Sequence, residues 1–398
     1  MITTFVLAAA ILQQGAHPAP PQQAPTIPAP VVLKPITLTD HDAKHQADLN
    51  NDVEMGNKYA VDVLKQYQVS TNKEYTARVE RIGQEMAAIA RVTPVNVSWG
   101  DSRLNPFNYD FIVLKGTDVN AFSLPGGHIY VFEGLVKYVE TDDELAGVLA
   151  HEISHAAFRH VATLQHEQSK VEKYTLPLIL VSILTGGVQG GFAGLQTGNL
   201  IGMAVGSGWS LKAELAADSG GFQFLTKSKY NPTGMLTVME RLAIDERNSP
   251  KIALGIFASH PPSRERAEAI QNQMQAAHIP VQRSLVSTTL RATVKPGDKG
   301  TVEIWFANSK IYEFAGDDAL KRADEAAPKL NAMFDRAPAL YEVRKDGSRI
   351  VFDHDAVLDI SEEDAAAAKL NIDDLSSQTL RNIQGSLYVL AFRIWDER

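Results

Sequence analysis

The stretch LAGVLAHEISHAAFRH, from Leu145 to His160, constrains the fold of this chain more than any other part of its sequence. Its apolar residues recur at the spacing of an amphipathic helix. We expect that helix to begin near Thr141, because the acidic residues that follow suit the positive end of the helix dipole. Histidine is only a middling helix former, so three histidines and a glutamate in so short a stretch call for a chemical reason.

The spacing of these polar residues indicates a metal site. Residues four apart stack on one face of a helix, so His151 and His155 can point their imidazoles at one spot. Glu152 lies beside that spot, close enough to hold a metal-bound water. Two neutral imidazoles and a free carboxylate are typical of a catalytic zinc site, in which the glutamate is the general base. His160 lies off this pair and is predicted to be a surface residue of the same helix.

HExxH alone is not decisive, since about one or two shuffled chains in a hundred would contain it by chance. A third ligand is needed, and ELAAD supplies Glu214. Asp218, one helical turn later, can accept a hydrogen bond from the outer nitrogen of a ligand histidine. The alternative is a solvated acidic face, but the apolar residues between the two carboxylates favour burial. Because the chain contains no cysteine, any metal must be held by histidine, aspartate or glutamate.

Four blocks, in this order, resemble one metallopeptidase family: NAFSLPGGHIYVFEGLV, ELAGVLAHEISHAAFRH, ELAADSGGFQFL and SHPPSRERAEAI. It is the family that includes the CAAX prenyl proteases, the heat-shock protease HtpX and periplasmic proteins of the BepA type. The resemblance covers roughly residues 42–275. It implies a zincin-like fold, mainly α with a small β-sheet, and one zinc ion per chain. The ligands that it implies are His151, His155 and Glu214.

The resemblance also implies roles for further residues. Glu152 would be the general base, and Asp218 would accept a hydrogen bond from a ligand histidine. His260 and Arg266, in HPPSRER, would approach the zinc from a later helix. His260 could then stabilise the oxyanion, with Arg266 as second choice, or cap the zinc as a fourth ligand. In the family, the segment before the active helix is the edge strand that receives the substrate backbone. The substrate-binding residues that follow are Asn120, Ala121, Phe122 and Ser123.

The N-terminus is predicted to direct export. Ile2 to Leu12 form an apolar run as long as the central region of a signal peptide and too short to span a bilayer. The alternative is a disordered terminus, since no lysine or arginine precedes the run. Residues 1–16 are therefore predicted to be a signal peptide, and the proline-rich residues 17–38 an extended spacer. We expect the protein in the periplasm or cell envelope.

A second apolar stretch, residues 175–208, lies between the two metal-binding motifs. Its apolar runs are short and broken by glycines, so it is predicted not to span a membrane. It is expected to cover the active-site cleft or to touch a membrane surface as a peripheral contact. Integral-membrane members of the family have long spanning helices around the motifs, so the soluble branch is the closer comparison. Prenylated substrates are not expected. The net charge of −9 likewise predicts no nucleic-acid partner.

The remaining sequence predicts two domains, a metallopeptidase domain at 39–280 and a small α+β domain of unknown role at 281–398. A short strand is expected in VNVSW in the first domain. In the second, STTLRATVKP and GTVEIWFANS predict strands, and GDDALKRADEAAPKLNAMF a helix. YEVRKDGSRIVFD predicts a hairpin turning at Asp346 and Gly347, and GSLYVLAFRIW a closing strand.

The sequence therefore predicts a zinc endopeptidase. The resemblance implies unfolded or misfolded envelope proteins as substrates, and hence a role in protein quality control. A second hypothesis is a chaperone-like assembly factor whose protease is largely latent because His260 caps the zinc. A third is a binding module without enzymatic activity, which the complete set of ligands disfavours.

Overall fold

The computed structural model describes residues 31–34, 37–38, 42–168, 209–248, 260 and 264–390. The predicted signal peptide, most of the predicted spacer and the apolar stretch 175–208 lie outside the described residues. The predictions made for them therefore remain predictions.

Two long helices open the described chain, α1 (Ala43–Gln66) and α2 (Lys73–Ala90). Each begins at a side chain that accepts hydrogen bonds from backbone N–H groups of the first turn, Asp42 for α1 and Asn72 for α2. The apolar faces of both helices contribute to the main hydrophobic core. That core also contains the apolar residues of the HExxH helix, so α1 and α2 support the helix that carries the histidines.

A three-stranded sheet follows, made of β1 (Asp110–Leu114), β2 (Ala121–Ser123) and β3 (His128–Phe132). β3 is central, parallel to β1 and antiparallel to β2, which places β2 at an edge of the sheet. The residues VNVSW, predicted to be a strand, are irregular. That prediction is wrong because tertiary contacts decide the segment: the ring of Trp99, its last residue, packs 5.0 Å from the ring of His160.

The helix predicted from Thr141 is present as α4 (Asp142–Ala157), after the short α3 (Glu133–Tyr138). The Thr141 hydroxyl caps it by accepting a hydrogen bond from the backbone N–H of Glu144. Of its 16 residues, 13 are buried. The remaining helices of this region are α5 (His160–Gln168), α6 (Trp209–Leu225), α7 (Thr233–Asn248) and α8 (Arg264–Ala276).

Glycines let α4 approach its neighbours closely. A methyl group on Gly147 would lie 2.8 Å from Cα of Met235, so only a glycine allows α4 and α7 this contact. On α6, a methyl group on Gly221 would lie 3.1 Å from the backbone nitrogen of His151. The helices that carry the candidate ligands are therefore packed backbone against backbone, which fixes their relative positions.

The chain after α8 forms helices and two antiparallel three-stranded sheets. One sheet contains β4 (Thr293–Pro296), β5 (Val302–Phe306) and β6 (Ser309–Phe314), and the other contains β7 (Val343–Asp346), β8 (Arg349–Phe352) and β9 (Asp355–Asp359). The helices are α9 (Arg283–Val286), α10 (Ala319–Arg336), α11 (Glu362–Ala368) and α12 (Ile372–Val389).

The strands and the helix predicted at the start of this region are confirmed, and the hairpin is present one residue later than predicted. Asp346 pairs with Arg349, so Gly347 and Ser348 form its turn. The closing strand predicted over residues 385–395 is wrong for its first part, because the chain is helical up to Val389, and residues 391–395 lie outside the described residues. Ile383 and Leu387 are both fully buried at a spacing of four, so the apolar residues here follow the period of a helix.

The predicted fold class is confirmed: a mainly α region with a small sheet, followed by a small α+β region. Residues from Leu290 to Leu390 share a hydrophobic cluster of their own. Of the helices that the structure describes, none has the length and apolar character needed to cross a bilayer. The boundary at residue 280 remains a prediction.

Buried charges connect the two regions. The guanidinium of Arg283 in α9 lies 2.8 Å from the carboxylate of Glu240 in α7, and each side chain is only 1% exposed. Arg283 also donates a hydrogen bond of 2.8 Å to the carbonyl of Asp335 in α10. One arginine therefore joins a helix that packs on α4 to a helix of the C-terminal region.

A second connection is made just before α4. The carboxylate of Glu140 accepts hydrogen bonds from the Ser287 hydroxyl, at 2.6 Å, and from the backbone N–H of Thr288, at 2.7 Å. The backbone N–H and the hydroxyl of Thr289 also donate to it. The segment that leads into the C-terminal region is thus held at the start of the HExxH helix.

Candidate metal centre

Four side chains that can bind a metal meet in the interior. His151 and His155 come from α4, Glu214 comes from α6, and His260 precedes α8. One donor atom from each lies within 4.8 Å of the others. The three ligands predicted from the sequence are thus brought together, and His260 joins them as a fourth donor.

The distances between these donors fit one small cation. Nε2 of His155 is 3.0 Å from Nε2 of His151. One Glu214 carboxylate oxygen lies 3.3 Å from Nε2 of His151, and the other lies 3.4 Å from Nε2 of His155. His260 presents Nδ1, which is 3.1 Å from both Glu214 oxygens and 3.3 Å from Nε2 of His151. In a tetrahedral zinc site with bonds of about 2.0–2.1 Å, neighbouring ligand atoms are about 3.3 Å apart. The donor set and its spacing therefore suit zinc.

Asp218 orients His151 through the ring nitrogen that faces away from the cluster. Its Oδ1 lies 2.8 Å from Nδ1 of His151, and Arg266 binds both of its oxygens at 2.7 and 2.8 Å. An ionised carboxylate can only accept, so Nδ1 of His151 carries a hydrogen and Nε2 faces the cluster. Arg266 is also 3.0 Å from the carboxylate of Glu214. Asp218 and Arg266 thus lie next to the candidate ligands His151 and Glu214, and their role as supports for these ligands remains a prediction.

His160 overturns one prediction, because it is not a surface residue of the HExxH helix. Helix α4 ends at Ala157, Arg159 adopts a positive φ of 51°, and His160 begins the next helix, α5. The turn directs His160 inward, where it is only 4% exposed and its Nδ1 lies 2.9 Å from Nδ1 of His155. The third histidine of the stretch was the available signal, but the chain reversal that brings it to His155 could not be read from helical spacing.

His160 therefore gives His155 an outer hydrogen-bond partner, as Asp218 does for His151. We expect His160→Ala to lower zinc affinity by about 10–100-fold, because partners of this kind fix the orientation and tautomer of a ligand histidine. Competition with a chromogenic chelator measures this affinity. His166→Ala, at an exposed position of the same helix, is the matched control and should bind zinc like the wild type. Equal affinity for His160→Ala and the control would refute the role.

Glu152 is buried beside the cluster without a full set of partners. Its side chain is 1% exposed, and Oε1 lies 3.3 Å from Nε2 of His260. Oε2 has no hydrogen-bond partner among the described residues. Leaving a buried carboxylate oxygen unpaired costs free energy, which a water or substrate proton at the cluster would offset. The carboxylate is therefore placed to accept a proton there.

The charges around the cluster favour a cation. Burial opposes charge on His151, but the carboxylates of Asp218 and Glu214 outweigh it and raise the pKa of His151 to about 10. Burial likewise opposes ionisation of Glu214, yet His260, Arg266 and His155 hold its pKa well below the usual range. The two carboxylates thus favour a positive charge at His151. A metal ion would supply that charge in place of a proton when it binds.

The predicted substrate-binding residues lie in and beside the edge strand β2. Asn120, Ala121 and Phe122 are buried, and Ser123 is partly exposed. Their contact with a substrate is not tested by these positions and remains a prediction. Because the first three side chains are buried, an incoming peptide would meet mainly the backbone of β2. The end of this strand adjoins the cluster, since Ser123 and Leu124 line a small pocket together with His155 and His160.

This geometry is that of a metallopeptidase, and comparison with known proteins agrees. Residues 72–274 match the model of peptidase family M48, which is slightly more than half of the 398 residues. The chain belongs to peptidase family M48. It is therefore a metalloprotease, a hydrolase of peptide bonds whose substrates are polypeptides.

Individual relatives are also similar to parts of this chain. Metalloprotease LoiP of Escherichia coli is 31% identical over 208 residues, which are 49% of this chain and 79% of that protein. A beta-barrel assembly-enhancing protease of Yersinia pestis is 29% identical over 263 residues, 63% of this chain and 50% of that protein. The mitochondrial metalloendopeptidase OMA1 of Schizosaccharomyces pombe is 28% identical over 178 residues, 45% of this chain and 50% of that protein. The chain thus spans about half the length of the latter two.

Proposed function

We propose that this protein is a zinc-dependent endopeptidase that cleaves unfolded or misfolded proteins of the cell envelope. The observation that carries the proposal is the convergence of His151, His155 and Glu214 beside the buried carboxylate of Glu152. One zinc ion per chain would be held by the first three residues.

The residues around the cluster supply the steps of hydrolysis. Zinc, when bound, lowers the pKa of a water molecule and polarises the scissile carbonyl. Glu152 takes the proton of that water and later delivers it to the leaving amine. Asp218 and Arg266 keep the ring of His151 in place throughout. His260, if it turns away from the cluster, can donate a hydrogen bond to the oxyanion.

Substrate capture is proposed to occur along β2. An extended peptide would add to this edge strand through main-chain hydrogen bonds, which select for extended backbone more than for side chains. Unfolded chains present such backbone and folded ones do not. The similarity to a beta-barrel assembly-enhancing protease supports substrates in the cell envelope, and the predicted signal peptide supports export.

A second candidate function is an assembly factor or chaperone whose protease is largely latent. The position of His260 favours it, since Nδ1 of this residue lies 3.1 Å from both Glu214 oxygens and 3.3 Å from Nε2 of His151. A fourth protein ligand there would take the place of the catalytic water. Both functions use the same metal site and differ in how often His260 leaves it.

The test compares Glu152→Gln with the wild type. We expect about one zinc per chain in both, and turnover of unfolded casein about 10²–10⁴-fold lower in the variant, because only the base is lost. Metal analysis and release of fluorescent casein fragments provide the two measurements. Glu325→Gln is the matched control, since this side chain is 63% exposed on α10. Casein cleavage that survives in Glu152→Gln, or a wild type without zinc, would overturn the proposal.

A further inference from the structure

Arg159 lies in the chain reversal between α4 and α5, where its guanidinium is surrounded by carboxylates. Nε and Nη2 donate to the two carboxylate oxygens of Asp52 on α1, at 2.6 and 3.1 Å. Nη1 donates to Oδ2 of Asp101, at 3.1 Å, and lies 3.5 Å from a carboxylate oxygen of Asp48. The side chain of Arg159 is 11% exposed and that of Asp52 only 3%. One buried guanidinium thus joins the reversal to α1 and to the loop that contains Asp101.

We propose that Arg159 is a positioning residue of the metal site. By binding the two carboxylates, its guanidinium holds the reversal in the conformation that places His160 against the candidate ligand His155. Arg159 would thus act through His160 and not by binding the metal. The proposal rests on the proposed function, because it concerns the same zinc site.

The backbone of Arg159 is in the left-handed region, which favours glycine. Its φ is 51°, and a residue with a side chain is strained there. The ion pair adds a second cost, because burial raises the pKa of Asp52 in spite of the guanidinium beside it. A buried ion pair adds little to net stability and can instead favour one conformation over others. Turn geometry alone therefore does not account for an arginine here, whereas a positioning role for its guanidinium does.

The loop from Trp99 to Asp101 packs directly on the reversal. The backbone N–H of Asp101 donates to the carbonyl of Phe158, at 2.8 Å, and the ring of Trp99 lies 5.0 Å from the ring of His160. Gly100, between them, is so close that a methyl group on it would lie 2.8 Å from Cδ2 of His160. The bond from the guanidinium to the Asp101 carboxylate therefore holds together two segments that enclose the ring of His160.

The conformation of the reversal decides whether the outer nitrogen of His155 has a partner. Nδ1 of His160 lies 2.9 Å from Nδ1 of His155, and Nε2 of His155 faces the cluster. A ligand histidine that loses its outer partner can turn and change tautomer, which lowers metal affinity by about 10–100-fold. Loss of the Arg159 guanidinium should therefore weaken zinc binding although every donor is still present.

The first experiment measures the zinc affinity of Arg159→Ala and Arg159→Gly by competition with a chromogenic chelator. We expect both variants to bind zinc about tenfold more weakly than the wild type. Glycine relieves the strain at the positive φ, so a role of the turn alone would leave the affinity of Arg159→Gly unchanged. That result would overturn the inference.

Arg322→Ala is the matched control for the loss of a guanidinium. In the C-terminal region, Arg322 binds both carboxylate oxygens of the buried Asp364, at 2.7 and 3.0 Å, much as Arg159 binds Asp52. The control should bind zinc like the wild type. A loss of zinc affinity in Arg322→Ala as large as that in Arg159→Ala would mean that any destabilised variant binds zinc poorly, and would contradict a specific role.

The second experiment is a double-mutant cycle that tests the route through His160. Adding Arg159→Ala to His160→Ala should lower zinc affinity no further, because the residue that Arg159 positions is already missing. Losses that multiply in the double variant would show two independent effects and would refute the positioning role. Arg159→Lys keeps the charge but not the paired bonds of a guanidinium, and should bind zinc with an affinity between those of the wild type and Arg159→Ala.

A spectroscopic measurement separates positioning from a loss of stability. The visible absorption bands of the cobalt-substituted protein report the geometry of the ligands. These bands should shift in Arg159→Ala and keep their wild-type positions in Arg322→Ala, even if the control melts at a lower temperature. If Arg159→Ala does not fold, Arg159→Lys is used for the same comparison. Wild-type bands and wild-type zinc affinity in Arg159→Lys and Arg159→Gly would overturn the inference.

The outcomes also separate this inference from the proposed function. A wild type that binds zinc and cleaves casein, with an affinity that does not depend on Arg159, would overturn the inference alone. A wild type that binds no zinc would overturn both.

Discussion

Glu214→Ala is expected to lower zinc affinity by more than about 100-fold. Even the loss of a residue that only hydrogen-bonds to a ligand side chain lowers metal affinity by about 10–100-fold. The same loss is expected for His151→Ala and His155→Ala. In each case one of the three proposed protein ligands is missing, so the zinc ion loses one of its bonds to the protein. Metal analysis after dialysis against a weak chelator measures the effect.

Two matched controls accompany these ligand variants. Glu325→Ala removes a carboxylate that is 63% exposed on α10, and His166→Ala removes an exposed histidine of α5. Both should retain zinc like the wild type. If Glu214→Ala retains zinc equally well, the third ligand has been assigned to the wrong residue.

If His260 blocks the metal site, as in the second candidate function, His260→Ala is expected to raise casein cleavage by about tenfold at unchanged zinc content. This change corresponds to about 1.4 kcal/mol of free energy holding His260 at the cluster. The reason is the place of Nδ1, 3.1 Å from both Glu214 oxygens, where a fourth ligand would exclude the catalytic water. Removing it should increase the fraction of molecules that can react. Initial cleavage rates, normalised to bound zinc, measure the change.

Other outcomes for His260→Ala would assign this residue differently. Lower activity at unchanged zinc content would show that its main role is to stabilise the oxyanion. Loss of zinc would show that it is a necessary ligand. An unchanged rate and unchanged zinc content would mean that it only holds its loop. The hypothesis that His260 excludes the catalytic water would then be refuted.

The parts of the site that lie on single helices could be predicted from the sequence. His151 and His155 follow from the spacing of four in HExxH, and Glu214 and Asp218 follow from the same spacing in ELAAD. Helical geometry determines which of these side chains share a face, whatever the rest of the chain does. The capping residue Thr141 was predictable for the same reason, because capping depends on the first turn alone.

Features that depend on chain reversals or distant contacts could not be predicted in this way. His160 turns inward only because α4 ends at Ala157 and Arg159 takes a positive φ. VNVSW has strand-forming residues, but packing of Trp99 on His160 determines its conformation. The position of His260 came from the family resemblance, since no local pattern connects it to a helix 109 residues earlier.

The buried pair of Arg283 and Glu240 has a consequence for cooperativity. Separating the two regions would leave Glu240 without its cation in a site where the side chain is 1% exposed, at a cost of about 3–5 kcal/mol. Glu140 would lose its hydrogen bonds to residues 287–289 in the same event. Neither region can therefore melt while the other keeps its full stability. Heating should unfold the catalytic and C-terminal regions together, so that the integrity of the metal site depends on strands and helices that supply none of its four donors.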